Sequence, residues 1–178
     1  MLKENFYIFS GGPGSGKTSL LNQLASIGYN HTGDTAREII KKRLSQGLPP
    51  RPDPATFAME MFDKDFENYM YNVEVGSLFF FDRSFLDSAN LLFHADPDSY
   101  KRIEKSHLIH RFNQKVFVAP PWEEIYQTDS ERDHSFDHAI AVFEEISNWY
   151  TNHNYNVVLL PKDSVANRAK FVLEQISN

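Results

Sequence analysis

Phe6-Tyr7-Ile8-Phe9-Ser10 runs into Gly11-Gly12-Pro13-Gly14-Ser15-Gly16-Lys17-Thr18 and on into Ser19-Leu20-Leu21. An apolar run, a glycine-rich turn and an amphipathic stretch follow one another without a gap. The middle segment has the Gly-x4-Gly-Lys-Thr spacing of a phosphate-binding P-loop, which a strand delivers and a helix carries away. Glycines at 11, 14 and 16 let the backbone take positive φ and turn its N–H groups inward around phosphate oxygens. The helix N-terminus that follows adds unsatisfied N–H groups of its own. Lys17 is then expected to reach the β- and γ-phosphates of ATP, and the Thr18 hydroxyl to take one position on Mg²⁺. The expected nucleotide-binding set is Gly11, Gly12, Pro13, Gly14, Ser15, Gly16, Lys17, Thr18 and Ser19. A merely tight strand-to-helix turn needs a glycine or two and gives no reason for Lys and Thr at its end.

A chain of 178 residues suits one α/β unit spanning residues 1–178. Its 18 Lys and Arg against 24 Asp and Glu make it mildly acidic, which disfavours nonspecific nucleic-acid binding. The absence of cysteine excludes disulfides and thiolate zinc sites. No 18-residue apolar span and no signal-like segment is present, so no membrane partner is expected and a cytoplasmic protein is.

Strand and helix signals alternate, which predicts a three-layer α/β fold with a five-stranded, mostly parallel sheet. The strands are expected near 5–10, 29–33, 77–82, 114–119 and 155–160. Leu20, Leu21, Leu24 and Ile27 form one helical stripe, and Ala36, Ile39, Ile40 and Leu44 another. A third helix is expected after Asp53-Pro54, carrying Phe57, Met61, Phe62 and Tyr69 into the core rather than around a ligand. The loop Leu48-Pro49-Pro50-Arg51-Pro52-Asp53-Pro54 reads as a rigid connection that holds this helix over the carboxyl edge of the sheet.

Ser77-Leu78-Phe79-Phe80-Phe81-Asp82 is a buried-strand run ending in an acid, as expected of the Walker B element that supports Mg²⁺. Asp82 is therefore the first choice for the magnesium shell beside Thr18, the alternative being a cap on the next helix. Pro120-Pro121-Trp122 leads into a charged stretch with few apolar positions, the composition of a lid over about 122–138.

Asp82-Arg83-Ser84 after a hydrophobic strand resembles the Asp-Arg or Glu-Arg-Ser element of thymidylate and deoxynucleoside kinases. The wider run Phe81-Asp82-Arg83-Ser84-Phe85-Leu86-Asp87 is similar to a family of small predicted AAA-type ATPases that includes nicotinamide-riboside-kinase-like domains. Ala36-Arg37-Glu38-Ile39-Ile40, Asp129-Ser130-Glu131-Arg132 and Leu160-Pro161-Lys162-Asp163-Ser164-Val165 extend the resemblance over most of the chain. It implies a nucleotide-kinase-like P-loop NTPase fold. It also implies that Arg83 contacts the acceptor or the transferred phosphoryl group, with a surface ion pair as the alternative. Asp34 stands where deoxynucleoside kinases place a proton-accepting carboxylate, more often Glu, and capping of a 35–46 helix explains it equally. P-loop kinases carry lid arginines over the phosphates, a role that falls to Arg132 as the one Arg of the segment; a lid helix with solvated charges is the alternative. Arg37 and Asp87 are further acceptor-side candidates, and residues 160–164 border the adenine in such kinases.

His134 and His138 have the spacing of a zinc pair, but no HExxH pattern accompanies them, and surface positions account for the histidines. The function expected is transfer of the ATP γ-phosphoryl group to a small acceptor, a nucleoside or nucleotide. An ATP hydrolase and a noncatalytic nucleotide-binding module are the alternatives. The acceptor stays unidentified, and assembly into a homo-oligomer is left open.

Overall fold

The computed structural model describes residues 1–126 and 135–177. The glycine-rich loop is fed by β1 (Phe6–Gly11), every residue of which is buried. A strand buried on both faces is central to a parallel sheet, and β1 is the middle of five. The others are β2 (Asn30–His31), β3 (Phe79–Asp82), β4 (Lys115–Ala119) and β5 (Asn156–Leu159), in the order β2-β3-β1-β4-β5. All pairings are parallel, so the five-stranded sheet expected to be mostly parallel is parallel throughout. The weak second strand shrinks to two residues at the edge.

Because side chains alternate along a strand, β1 feeds two cores. Phe6 and Ile8 join Phe79, Phe81, Val116 and Val118 in a core on one face of the sheet. Tyr7 and Phe9 join Phe80 and Phe117 on the other. The first core is covered by α3 (Pro54–Tyr71), α4 (Phe85–Ala95), α5 (Pro97–Ile109) and α6 (Phe136–Asn152), the second by α1 (Lys17–Ser26) and α7 (Val165–Ser177). These are the three layers expected. Only α2 (Thr35–Ser45) stands apart, packed on α3 over the carboxyl edge.

Local signals set the helix ends. Asp53 accepts from the Thr56 N–H, and Pro54 follows in the first turn, as the Asp-Pro pair predicts. Ser84 and Asp87 form a reciprocal capping box on α4. Leu20, Leu21 and Leu24 are fully buried, each contributing about 1.5–3 kcal/mol. Ile27 and Leu44 leave their expected stripes: each lies at or past the last turn of its helix and is about half exposed.

The chain leaves β1 toward the α1/α7 face, whereas its neighbours β3 and β4 send their chains to the other face. Connections diverging in this way open a crevice at the carboxyl ends of the strands. The register carries Phe9 against Asp82 and Gly11 against Ala119, so the glycine-rich loop, Asp82 and the end of β4 meet at that crevice.

Candidate functional site

Gly11, Gly14 and Gly16 all have positive φ, at 120°, 72° and 76°. Gly16 caps α1 without any side-chain hydrogen bond, which leaves the helix N-terminus open to an anion. Lys17 folds back into the loop, its Nζ donating to the carbonyls of Gly12 at 2.8 Å and Gly11 at 3.1 Å and to Ser15 Oγ at 3.2 Å. Burial lowers its pKa to about 7, and Arg83 pushes the same way against the opposing pull of Asp82, Asp34 and Asp87.

The outer surface of the loop is braced from two elements distant in sequence. Arg168 on α7, 1% exposed, donates from Nη2 to the Ser15 carbonyl at 3.2 Å and from Nη1 to the Gly16 carbonyl at 3.4 Å. The indole of Trp122 lies 6.0 Å from its guanidinium. A Cβ on Gly16 would fall 2.7 Å from Arg168 Nη1, and one on Gly14 would fall 2.6 Å from the ring of Tyr126. Tyr126 follows a short 3-10 turn, Glu123–Ile125, and its hydroxyl donates to the Ser135 carbonyl at 3.1 Å.

At the end of β3, the Asp82 N–H donates to Thr32 Oγ1 at 2.9 Å, and the carboxyl group is almost fully buried. Burial raises its pKa, an effect that Lys17 and Arg83 oppose. Arg83 is held in the left-handed region at φ 70°, its N–H donating to the Phe9 carbonyl at 2.8 Å. A non-glycine residue there is uncommon and marks a constrained site. Desolvation lowers the Arg83 pKa, but Asp87, Asp34 and Asp82 outweigh it, and the net direction is up. Asp87 lies 3.5 Å from Arg83 and also accepts from the hydroxyls of Tyr150, at 2.6 Å, and Ser10. Burial, reinforced by Asp87, raises the Tyr150 hydroxyl well above its ordinary value and keeps it a donor.

One cavity of about 500 Å³ takes in these groups together with residues of α2, α3, α4 and α6. Pro13 to Ser19, Asp82, Arg83 and Asp87 line it, as do Asp34, Arg37, Phe57, Met61, Asp65, Asn90, Leu91 and Glu145. Asp34 accepts from the Arg37 N–H at 3.2 Å and lies 3.5 Å from Arg37 Nε, so it caps α2 and also faces the cavity. Phe57 corrects the sequence reading: it is half-buried cavity wall, while Met61 is buried as expected but also borders the cavity, and Phe62 and Tyr69 of the same helix are core. Gly11 and Gly12 lie behind the cavity surface and meet Lys17 through their carbonyls. Residues 127–134 of the lid-like stretch, Arg132 and His134 among them, lie outside the described residues. His107, expected at the surface, is fully buried on α5 against Tyr100 and Trp149.

Asp65 and Arg168 carried no motif signal. Arg168 sits within a helix-forming stretch, and the amphipathic pattern of α3 gives Asp65 only as an acid on a mostly apolar face. The donor set at Thr18 and Asp82 fits magnesium: a hard hydroxyl oxygen and one buried carboxylate, the small protein contribution that Mg²⁺ takes beside substrate phosphates. Among the described residues, no group of three His, Cys, Asp or Glu side chains is arranged to hold a metal by itself. No described helix is long and apolar enough to cross a membrane.

The profile of a family described as an AAA domain matches residues 6–168. No curated protein sequence matches the chain. Among solved structures, the deoxyadenosine kinase from M. mycoides with dCMP and a flexible dCDP bound aligns with TM-score 0.72 and 11% identity, covering 97% of this chain and 98% of the kinase chain. The same enzyme with bound dATP gives 0.67 and 11%, covering 97% and 100%, and with bound dCTP 0.64 and 12%, covering 97% and 98%. At these identities the likeness is one of fold, that of a P-loop nucleotide kinase.

Proposed function

We propose that this chain, which belongs to the AAA-domain family, transfers the γ-phosphoryl group of ATP to a small acceptor of the nucleoside or nucleotide class. The observation that carries the reading is one cavity whose lining joins the P-loop to apolar residues of α3 and α4. A hydrolase needs room only for a water beside the phosphates; a lining that includes Phe57, Met61 and Leu91 fits an organic molecule. The fold shared with kinases solved with deoxynucleotides supports the same class.

The P-loop N–H groups and Lys17 bind the β- and γ-phosphates, and Thr18 with Asp82 would hold Mg²⁺. The ion supplies neutralisation of charge on the phosphate oxygens. Arg83, in the cavity lining, would stabilise the oxygens of the group in flight with its guanidinium. The acceptor hydroxyl oxygen bonds to the γ-phosphorus as the bond to the β–γ bridging oxygen breaks. The hydroxyl proton passes to Asp34, and ADP leaves. Arg132 is assigned to the phosphate side of the lid.

The test is ADP release from ATP and Mg²⁺ with and without a panel of nucleosides and nucleoside monophosphates. Release that is slow alone and strongly raised by one acceptor is the expected result. Fast release independent of acceptor would replace the reading with a hydrolase, and binding without turnover would replace it with a nucleotide-binding module.

A further inference from the structure

Phe57, Met61 and Asp65 recur every fourth residue on α3 and form one stripe along the cavity wall. Two are apolar; the third is a carboxylate only 7% exposed. Its two oxygens go to two other helices: Thr35 Oγ1 donates to Oδ1 at 2.6 Å and Ser88 Oγ donates to Oδ2 at 3.0 Å. Each hydroxyl belongs to the residue immediately after an acid of the site, Asp34 in one case and Asp87 in the other.

We propose that Asp65 is the positioning residue of the acceptor half-site: by gripping Thr35 and Ser88 it holds Asp34 and Asp87 at fixed places in the cavity lining. The inference rests on the phosphotransferase reading for what those acids do, and on the geometry alone for the grip. Buried carboxylates are costly unless hydrogen-bonded, and a hydrophobic residue at position 65 would continue the Phe57–Met61 wall. The carboxylate instead links α2, α3 and α4 at the point where the acceptor must be presented to Asp34.

The grip depends on ionisation. A carboxylate accepts on both oxygens in charge-assisted bonds, whereas the neutral acid makes one of them a donor, and the hydroxyl facing it must rotate to accept in a weaker, neutral bond. Burial raises Asp65 to about 7; Asp87 adds to that rise, and the two hydroxyls and Arg83 oppose it. The other charged groups around the same cavity are Asp34 and Arg37 of α2, Asp82 at the end of β3, Lys17 of α1, Arg51, and His138 and Glu145 of α6; Lys64 adjoins Asp65 on its own helix. A raised carboxyl pKa means that the charged form, accepting on both oxygens, prevails above neutrality and gives way to the weaker neutral grip as the pH falls through about 7.

The experiment follows phosphoryl transfer from ATP to the best acceptor of the panel, from pH 5.5 to 8.5, in the wild type and in Asp65→Asn. The exposed Asp63→Asn on the same helix is the control. Asp65→Asn should raise the acceptor KM roughly tenfold, keep the KM for ATP within about twofold and abolish the step near neutral pH, while Asp63→Asn leaves all three unchanged. Asp65→Glu should restore part of the pH step. A second readout needs no acceptor: with carbon-13 in the aspartate carboxyls, the resonance lost in Asp65→Asn titrates near neutrality, and the Asp34 or Asp87 resonance moves with the same midpoint. If the wild type phosphorylates nothing, the phosphotransferase reading fails and the carbon-13 titration alone decides the grip. An unchanged acceptor KM and pH profile in Asp65→Asn, or carboxyl resonances of Asp34 and Asp87 indifferent to Asp65, overturns the inference.

Discussion

Arg168 Nη2 reaches from the last helix to the carbonyl oxygen of Ser15 at 3.2 Å, so the P-loop is braced from outside by a residue at the other end of the chain. The carbonyls that point away from a phosphate nest need partners, and this guanidinium serves two of them. Arg168→Met keeps the apolar packing of the stem and removes both hydrogen bonds. We expect tripolyphosphate and ATP affinities to fall in parallel by roughly tenfold, and the melting temperature to fall as well, because the Ser15 and Gly16 carbonyls lose their partner. Calorimetry with tripolyphosphate measures this without reference to the base; an unchanged affinity would remove the brace from the account.

Lys17 gives a proton signature for nucleotide binding. Burial lowers its pKa to about 7 in the protein, against about 10.4 in an unfolded chain. Between those values the unfolded chain holds more protons, so the stability of the ligand-free protein rises with pH over that window. Phosphates beside Lys17 favour its charged form, and ATP binding at pH 8 should therefore take up about one proton. Titration calorimetry in two buffers of different ionisation enthalpy reports the number, and Lys17→Met should abolish it. Uptake close to zero in the wild type would contradict the burial-driven shift.

Arg83 separates backbone strain from chemistry. Its φ of 70° costs a side-chain-bearing residue about 1 kcal/mol that glycine does not incur. Arg83→Gly should thus be more stable than Arg83→Ala by that amount in urea unfolding. Both should retain ATP affinity and lose phosphoryl transfer together. Equal stability of the two would mean that the left-handed backbone relaxes once the guanidinium is gone.

His107 makes the fold acid-sensitive. Burial, with His153 and Arg111 acting in the same direction, lowers its pKa to about 4. An unfolded histidine protonates near 6.5, so stability is lost as the pH falls from about 6.5 toward 4, by about 3 kcal/mol at most. Urea unfolding at pH 7 and pH 4.5 should show the loss in the wild type and a smaller one in His107→Gln. The same loss in both would place the acid sensitivity elsewhere.

The sequence by itself determined the P-loop, the strand and helix on its flanks, Asp82 at a strand end and the α/β class. These rest on neighbours along the chain: positive φ at glycine, a continuous buried run in Phe6–Phe9, an Asp-Pro cap at 53–54. The Asp34 alternatives were legible too, and the structure makes the cap real while leaving the side chain at the cavity. Tertiary structure alone decided which face of α3 is cavity and which is core. Phe57 and Phe62 share one amphipathic pattern, and periodicity records that a residue is turned inward without recording what it meets. The same holds for Asp65 between Thr35 and Ser88, and for Arg168 behind Ser15. A buried charge is admitted only where partners from other elements converge on it, and that convergence is set by how the helices pack on the sheet.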